Sequence, residues 1–319
     1  MTKVAVVQAA SIPFDSARSV EKAADILHRV AGNGARIAVF PEAFLGGYPK
    51  GISFGSVVGN RRPEGRELYQ MYVDGAVSLD GPELQALADA VTQSGVHTVM
   101  GVIEKMGRTL YCTALTLAPG KGVVGLHRKL MPTGQERLVW GFGDGSTMGT
   151  VDTPHGRIGN VICWENYMPA LRQTMYAQGT EIYCTPTADD RKTWPSSMVH
   201  IALEGRVFVL SACQAIRLSA YPESFRREFD LPGHESEDGY IMHGGSMIVS
   251  PVGEVLAGPV YDEETELYAE LDMGLLKQGN LDFDVCGHYS RPDIFSLHVD
   301  TRAKQAVKFQ AEDAPEQAR

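Results

Sequence analysis

Residues 156–187 read "GRIGNVICWENYMPALRQTMYAQGTEIYCTPT". "RIGNVICWE" (157–165) has the apolar run of a buried strand. Met168, Leu171 and Met175 then fall on one helical face, which Gly179 ends. "EIYCTPT" (181–187) is a second strand. An apolar run, a helical face and another apolar run in succession place the stretch in a layered α/β sheet. They also put Cys163 where a strand gives way to a helix. Two readings of that thiol stand side by side: a small buried side chain, the common fate of a free cysteine, or a nucleophile.

The same rhythm extends outward. "KVAVVQAA" (3–10) reads as a strand, and Ala23, Ile26, Leu27 and Val30 form a helix face before Gly34. "RIAVFPE" (36–42) is the next strand. Leu84, Leu87, Ala88 and Val91 mark a second helix, with Pro82 suited to its first turn. "HTVMGVIE", "LYCTALTLA" and "GVVGLHRKL" are further strands. Met198, Ile201, Ala202 and Gly205 suggest another helix. "VFVLSACQ" and "GGSMIVSPVGEVLAGPV" read as strands, the latter turning at Pro251–Gly253. Elements alternate, then strands cluster. The fold class is therefore α/β or α+β with mixed pairing, as one domain over residues 1–300. Residues 49–80, rich in glycine, and the charged residues 217–240 read as long loops of functional or contact surface. Residues 301–319 read as a polar tail, frayed or reaching to a neighbour.

Apolar residues make up 44% and charged residues 21%, ordinary for a soluble globular protein. With 29 basic and 39 acidic residues the net charge is −10, which argues against nucleic-acid and anionic-membrane surfaces. No apolar run reaches the roughly 18 residues of a membrane span. The N-terminus "MTKVAVVQAA" passes straight into a strand without a signal-peptide pattern, so a cytoplasmic location is expected. The five cysteines are scattered and form no CxxC pair, which suggests neither a disulfide framework nor a zinc site. The nine histidines include no HExxH. No metal and no cofactor are expected. "GFGDG" (141–145) lacks the helix that a nucleotide site requires. His243 and His288 read as structural hydrogen-bonding residues. "ALEGR" (202–206) reads as a close helix contact, with Glu204 and Arg206 hydrogen-bonded.

Three reactive side chains occupy comparable places. Glu42 ends "RIAVFPE", Lys129 ends "VVGLHRK" and Cys163 ends "IGNVIC". Side chains at strand ends of one layered sheet converge on one edge. A thiol, a carboxylate and an ammonium gathered there suit hydrolysis: nucleophile, proton acceptor and stabiliser of developing negative charge. A helix starting near Met168 or Pro169, together with the ammonium, would lower the thiol pKa.

The segments "FPEAFLGGYPKG", "HRKLMPTGQERLVWGFGDGS", "GNVICWENYMPALR", "TADDRKTWPSSMVHIALEGRVFVLSACQ", "HGGSMIVSPVGEVLAGP" and "LDFDVCGHYSRPDIF" resemble, in order, the nitrilase branch of the carbon–nitrogen hydrolase superfamily. The resemblance covers about residues 3–300. It implies that Glu42 is the general base, Lys129 the charge-stabilising lysine, Cys163 the nucleophile and Glu136 a second glutamate that holds lysine and substrate. It implies that Tyr48, Thr133, Trp140 and Trp164 line the pocket, each of which core packing would also explain. The implied reaction converts a small-molecule nitrile to its acid and ammonia through a thioimidate and a thioester. The implied fold is an α-β-β-α sandwich, dimerising helix layer to helix layer into αββα–αββα and extending to higher oligomers or spiral filaments. "WEN" (164–166) points toward aliphatic or dinitrile substrates. The competing readings are an amidase or carbamoylase with the same residues, an inactive filament-forming or binding protein, and a papain-like thiol hydrolase, for which no local histidine signature exists.

Overall fold

Val4 and Val6 of β1 (Thr2–Gln8) belong to one apolar cluster and Ala5 and Val7 to another, and all four are fully buried. Successive side chains of a strand face opposite ways, so a strand covered on both faces is apolar at every position. The computed structural model, which describes residues 1–232, 239–305 and 307, shows what covers them. After β1 come α1 (Ser16–Gly32), β2 (Ile37–Val39), β3 (Ser56–Val57), β4 (Asn60–Arg61), α2 (Pro63–Asp74) and α3 (Pro82–Ser94). Then follow β5 (His97–Met106), β6 (Thr109–Ala118), β7 (Gly122–Arg128), β8 (Thr150–Thr153) and β9 (Gly156–Asn160). The second half holds α4 (Pro169–Ala177), β10 (Ile182–Thr187), α5 (Trp194–Gly205), β11 (Phe208–Cys213), β12 (Ala215–Arg217) and α6 (Glu223–Arg226). β13 (Tyr240–Val249), β14 (Val255–Tyr261), β15 (Thr265–Leu271) and α7 (Gly274–Asp282) complete the described chain.

One sheet runs β15-β1-β2-β5-β6-β7 and the other β12-β13-β11-β10-β9-β8, with β14 beside β13. β1, β2 and β5 pair in parallel, as do β9, β10 and β11, while the remaining neighbours are antiparallel. Val4, Val6, Ile37, Val39, Ile182, Phe208 and Leu210 fill the space between the sheets. Ile26 and Leu27 of α1 and Leu87 and Val91 of α3 pack on the outer face of the first sheet. Leu171 and Met175 of α4 and Met198 and Ile201 of α5 pack on the outer face of the second. The layers are therefore α-β-β-α. Glu204 of α5 joins the two outer helices there by accepting from Arg172 Nε (2.6 Å) and Tyr176 OH (2.9 Å). Among the described residues no helix is long and apolar enough to cross a membrane.

Several sequence expectations are corrected. Residues 49–80 are not one loop: they hold the β3–β4 hairpin and α2, whose Tyr72 is fully buried. Gly65 suggested loop, yet it is a packing residue. A Cβ there would lie 2.0 Å from Phe54 O, so only glycine lets α2 rest on that segment. Residues 217–240 likewise fold in part, through a short turn and α6, and bury Leu218, Tyr221 and Phe225; residues 233–238 lie outside the described residues. The strand expected over 36–42 pairs only at Ile37–Val39, because Pro41 has no N–H to give. The strand expected over 157–165 stops at Asn160, and Cys163–Tyr167 forms a 3₁₀ turn. β8, β15 and α7 carry no strong apolar period and were not anticipated. In the tail, Lys304 N–H donates to Asp144 (2.6 Å), while residue 306 and residues 308–319 lie outside the described residues.

Past β2 the chain crosses the first sheet at Gly101 of β5. A Cβ at Gly101 would lie 2.1 Å from Pro41 O and 2.7 Å from Glu42 Cα. Replacing Gly101 by alanine is therefore expected to cost about 1–3 kcal/mol in urea denaturation and to displace Glu42. Gly149→Ala meets nothing within 4 Å and is expected to leave the unfolding midpoint unchanged. Equal midpoints for the two variants would contradict the crossing.

Candidate active site

Three strand ends meet, but from two sheets rather than one. Glu42 lies three residues past β2, where Ala43 adopts φ +53° and turns the chain over Gly101. Its backbone carbonyl accepts from Gln214 Nε2 (3.0 Å), and its side chain is fully buried. Lys129 follows β7 immediately. Its N–H donates to Cys112 O on β6 (2.8 Å), which draws the side chain inward. Lys129 Nζ donates to Glu42 Oε1 (2.7 Å) and to Glu136 Oε2 (2.8 Å), and it sits 5.4 Å from the Trp140 ring centroid. Glu136 comes from the turn Gly134–Leu138 and is held further by Thr133 N–H (2.6 Å) and Tyr48 OH (2.6 Å).

Cys163 comes from the second sheet, past β9. It has φ +50°, a region that a residue with a Cβ rarely adopts, so it stands on a strained elbow. Neighbours hold the strain. Asn166 Nδ2 donates to Cys163 O (2.7 Å) and Val161 O (3.2 Å). Glu165 accepts from Ile162 N–H (2.9 Å), Leu130 N–H (2.6 Å) and His127 Nε2 (2.9 Å). One carboxylate thus ties the residue before Cys163 to the residue after Lys129. Sequence reasoning missed Cys112, His127, Glu165 and Gln214. A charged pair in "HRK" and "CWEN", inside otherwise apolar strand ends, was the available signal for His127 and Glu165.

The electrostatics follow from two carboxylates facing one ammonium in a dry space. Burial alone would strip the Lys129 proton; Glu42, Cys163 and Glu136 overcome it and hold the ammonium well above the usual lysine range. Burial pushes the Glu42 carboxyl up, and the Lys129 charge pulls it only partly back. Burial and then the Glu42 charge push the Cys163 thiol up, against the opposing pull of Lys129 and the Thr187 hydroxyl. The expected lowering of the thiol pKa is therefore corrected: α4 does start at Pro169, as expected, but burial and then the Glu42 charge outweigh the pull of Lys129. Glu42 Oε2 is buried and has no hydrogen-bond partner among the described residues.

A cavity of about 410 Å³ opens beside this cluster, with Tyr48, Thr133 and Glu136 in its wall. Trp140 instead lies behind the wall, 2% exposed, with its Nε1–H on Tyr72 OH (2.9 Å). Trp164 is 41% exposed and is not part of that wall; Asp189 accepts its Nε1–H (2.9 Å) and Arg191 lies over its ring. The mouth loop is anchored by Tyr221 OH donating to Tyr48 O (2.6 Å) and by Asp230 N–H donating to Gly51 O (2.9 Å).

The sequence profile of the carbon-nitrogen hydrolase family matches residues 3–280. A nitrilase of Bradyrhizobium diazoefficiens is 56% identical, over 96% of this chain and 94% of its own. An aliphatic nitrilase of Sinorhizobium fredii is 52% identical, over 98% and 100%. A bifunctional nitrilase/nitrile hydratase of Lupinus angustifolius is 49% identical, over 96% and 88%. Among solved structures, a carbon-nitrogen hydrolase from Helicobacter pylori shares the fold with a TM-score of 0.68 at 18% identity, covering 88% of this chain and 92% of that one. An amidase from Nesterenkonia sp. superposes with a TM-score of 0.65 at 19% identity, covering 88% and 95%.

His127 faces an acceptor on each ring nitrogen, Glu165 and Thr147 O (3.3 Å), an arrangement that favours the imidazolium. Burial opposes that charge, and Glu165 overcomes it, leaving the pKa raised. A folded value above the unfolded value of about 6.5 gives stability that is complete below that pH and lost as pH rises through the folded value. The urea midpoint of the native protein is expected to fall as pH rises through the interval above about 6.5. His127→Gln should start lower at pH 7 and lie flatter over that interval. Parallel curves would contradict the charged pair.

Proposed function

The chain belongs to the carbon–nitrogen hydrolase family, and we propose that its nitrile-hydrolysing site is the cluster of Glu42, Lys129, Glu136 and Cys163. It is a nitrilase. The observation that carries the assignment of residues is the unpartnered Glu42 Oε2, buried in the cluster that Lys129 shares with the strained Cys163 elbow. A thiol cannot attack until it loses its proton, and Glu42 is the base at hand. Cys163 Sγ bonds to the nitrile carbon while its proton passes through Glu42 to the nitrogen, giving a thioimidate. Water adds to that carbon, ammonia leaves and a thioester remains. A second water, deprotonated by Glu42, releases the acid and returns the thiol. Lys129 and the backbone N–H of Trp164 supply the donors to developing negative charge, each such donor being worth about 10²–10³ in rate. Glu136, itself held by the Tyr48 hydroxyl, accepts from the ammonium on the cavity side.

Amide hydrolysis is the reading closest to this one. The amidases that share the fold stand below 20% identity, whereas relatives named nitrilase stand near half. Asn166, the residue behind the leaning toward aliphatic or dinitrile substrates read from "WEN", turns to the Cys163 elbow and is not part of the cavity wall. The relative named an aliphatic nitrilase keeps aliphatic nitriles first in the panel. We place the enzyme in the cytoplasm, a setting that suits its free thiols. We assign residues 1–300 to one catalytic domain. We also propose self-association through the helix layers, extended by the β3–β4 hairpin, which exposes Val57 and Val58.

Purified protein is expected to release ammonia and carboxylic acid from nitriles. Cys163→Ala should lose essentially all turnover, well beyond the loss of one oxyanion donor. Mass spectrometry should find one acyl group on Cys163 during turnover. Ammonia from amides alone would overturn nitrile hydrolysis, and near-native turnover of Cys163→Ala would overturn the nucleophile. Sedimentation velocity is expected to show at least a dimer, and a monomer at micromolar concentration would contradict the association.

A further inference from the structure

We propose that Cys112, a second thiol inside the reactive cluster, is a positioning residue for the general base: its S–H holds one oxygen of Glu42 so that the other stays free for Cys163 and water. The proposal rests on the reading of Glu42 as that base. Cys112 lies on β6 and is 1% exposed. Its Sγ is 3.3 Å from Glu42 Oε1, the oxygen that also receives Lys129 Nζ at 2.7 Å. Its carbonyl accepts the Lys129 N–H at 2.8 Å. One residue therefore sets the base through its side chain and the ammonium through its backbone. The two oxygens of Glu42 are unlike: Oε1 has two donors and Oε2 has none.

The thiol is suited to this work because it keeps its proton. Burial and then the facing Glu42 charge push Cys112 well above the ordinary cysteine range, against the pull of Lys129. It is a donor throughout the working pH range and not a rival nucleophile. The charged or titratable groups facing Glu42 are Lys129 after β7, Glu136 from its turn, Cys112 on β6, Cys163 at the elbow and Tyr48 on the mouth loop. Among the described residues, only Lys129 and Cys112 donate hydrogen bonds to the Glu42 carboxylate. Without the thiol, Oε1 keeps a single donor, and either oxygen can turn to Lys129. Donation to a carboxylate favours its charged form, so loss of the thiol disfavours it. A base works as the carboxylate, so the acid limb of the kcat/KM profile then moves to higher pH.

The test compares Cys112→Val, which fills the space without a donor, with Cys112→Ser, which keeps one. kcat, KM and the pH dependence of kcat/KM are measured on a hydrolysed nitrile. Cys112→Val is expected to lose about tenfold in kcat with KM within about twofold, the scale of one hydrogen bond to a charged group. Its acid limb should move upward, while Cys112→Ser stays near native in both. If Cys112→Val does not fold, Cys112→Ala replaces it. Equal losses in the serine and apolar variants, or an unmoved acid limb with native kcat, would overturn the proposal. Glu42→Gln separates the two readings. An acid limb that survives Glu42→Gln removes the base assignment and this proposal together. An acid limb that vanishes there but stays put in the Cys112 variants removes this proposal alone.

Discussion

The Lys129 ammonium, fully buried between the carboxylates of Glu42 and Glu136, is the interaction on which the rest of the site depends. A buried ion is tolerated only with partners, and removal of one partner typically costs about 3–5 kcal/mol because the other charge is left stranded. That cost enforces geometry. Glu42 arrives from the third strand of the first sheet, Glu136 from a turn beyond its edge, and both must reach one nitrogen within 2.8 Å. The crossing at Gly101, the Gln214 clasp on Glu42 O and the capping of Glu136 by Thr133 all serve that requirement. Burial, with the Glu42 charge added to it, then raises the pKa of the Cys163 thiol against the pull of Lys129.

The second constraint lies between the sheets. Nucleophile and ammonium belong to different sheets, and packing between apolar faces tolerates small slides that a reaction does not. Glu165 removes that freedom by accepting N–H groups adjacent to Cys163 and to Lys129 on one carboxylate. His127 balances its charge inside the protein. The strained elbow is thus braced from the first sheet through Glu165 and from within its own turn through Asn166.

The layered fold was legible because its core strands and helices are strongly periodic. β1, α1, α3, β5, α4, β10 and α5 announce themselves by apolar spacing alone. α2 was hidden by Gly65 and its charged surface, and β15 by its glutamates, which reach α1 through Glu266 and Arg29 (2.6 Å). Strand-end position picked out Glu42, Lys129 and Cys163, and motif resemblance added Glu136. The supporting set was not legible, since Cys112 and Gln214 look like ordinary core and loop residues until the fold brings them to Glu42. The state of the Cys163 sulfur was misread for the same reason: a sequence shows the lysine near the thiol but not how many acids share the burial.

The cavity wall is built from separate parts, and this division bears on specificity. Tyr48 and the loop behind it are anchored to Tyr221 and Asp230, in a segment whose Phe229 ring leaves no room for a Cβ at Gly51. Lys50 on that loop pairs with Asp190 (3.1 Å), while Asp189 next to it holds Trp164. The short run Asp189–Arg191 therefore steadies the mouth on one side and the residue after the nucleophile on the other. None of these anchors is a hydrogen-bond partner of Lys129 or of the Glu42 carboxylate. Substitutions along the mouth can reshape the space offered to a nitrile while the charged cluster behind it keeps its geometry. The carboxylate that faces both regions is Glu136, whose one oxygen meets Tyr48 in the wall and whose other meets Lys129 in the cluster. That single carboxylate joins the cavity wall to the buried ammonium, so the shape of the wall and the geometry of the cluster meet at one residue.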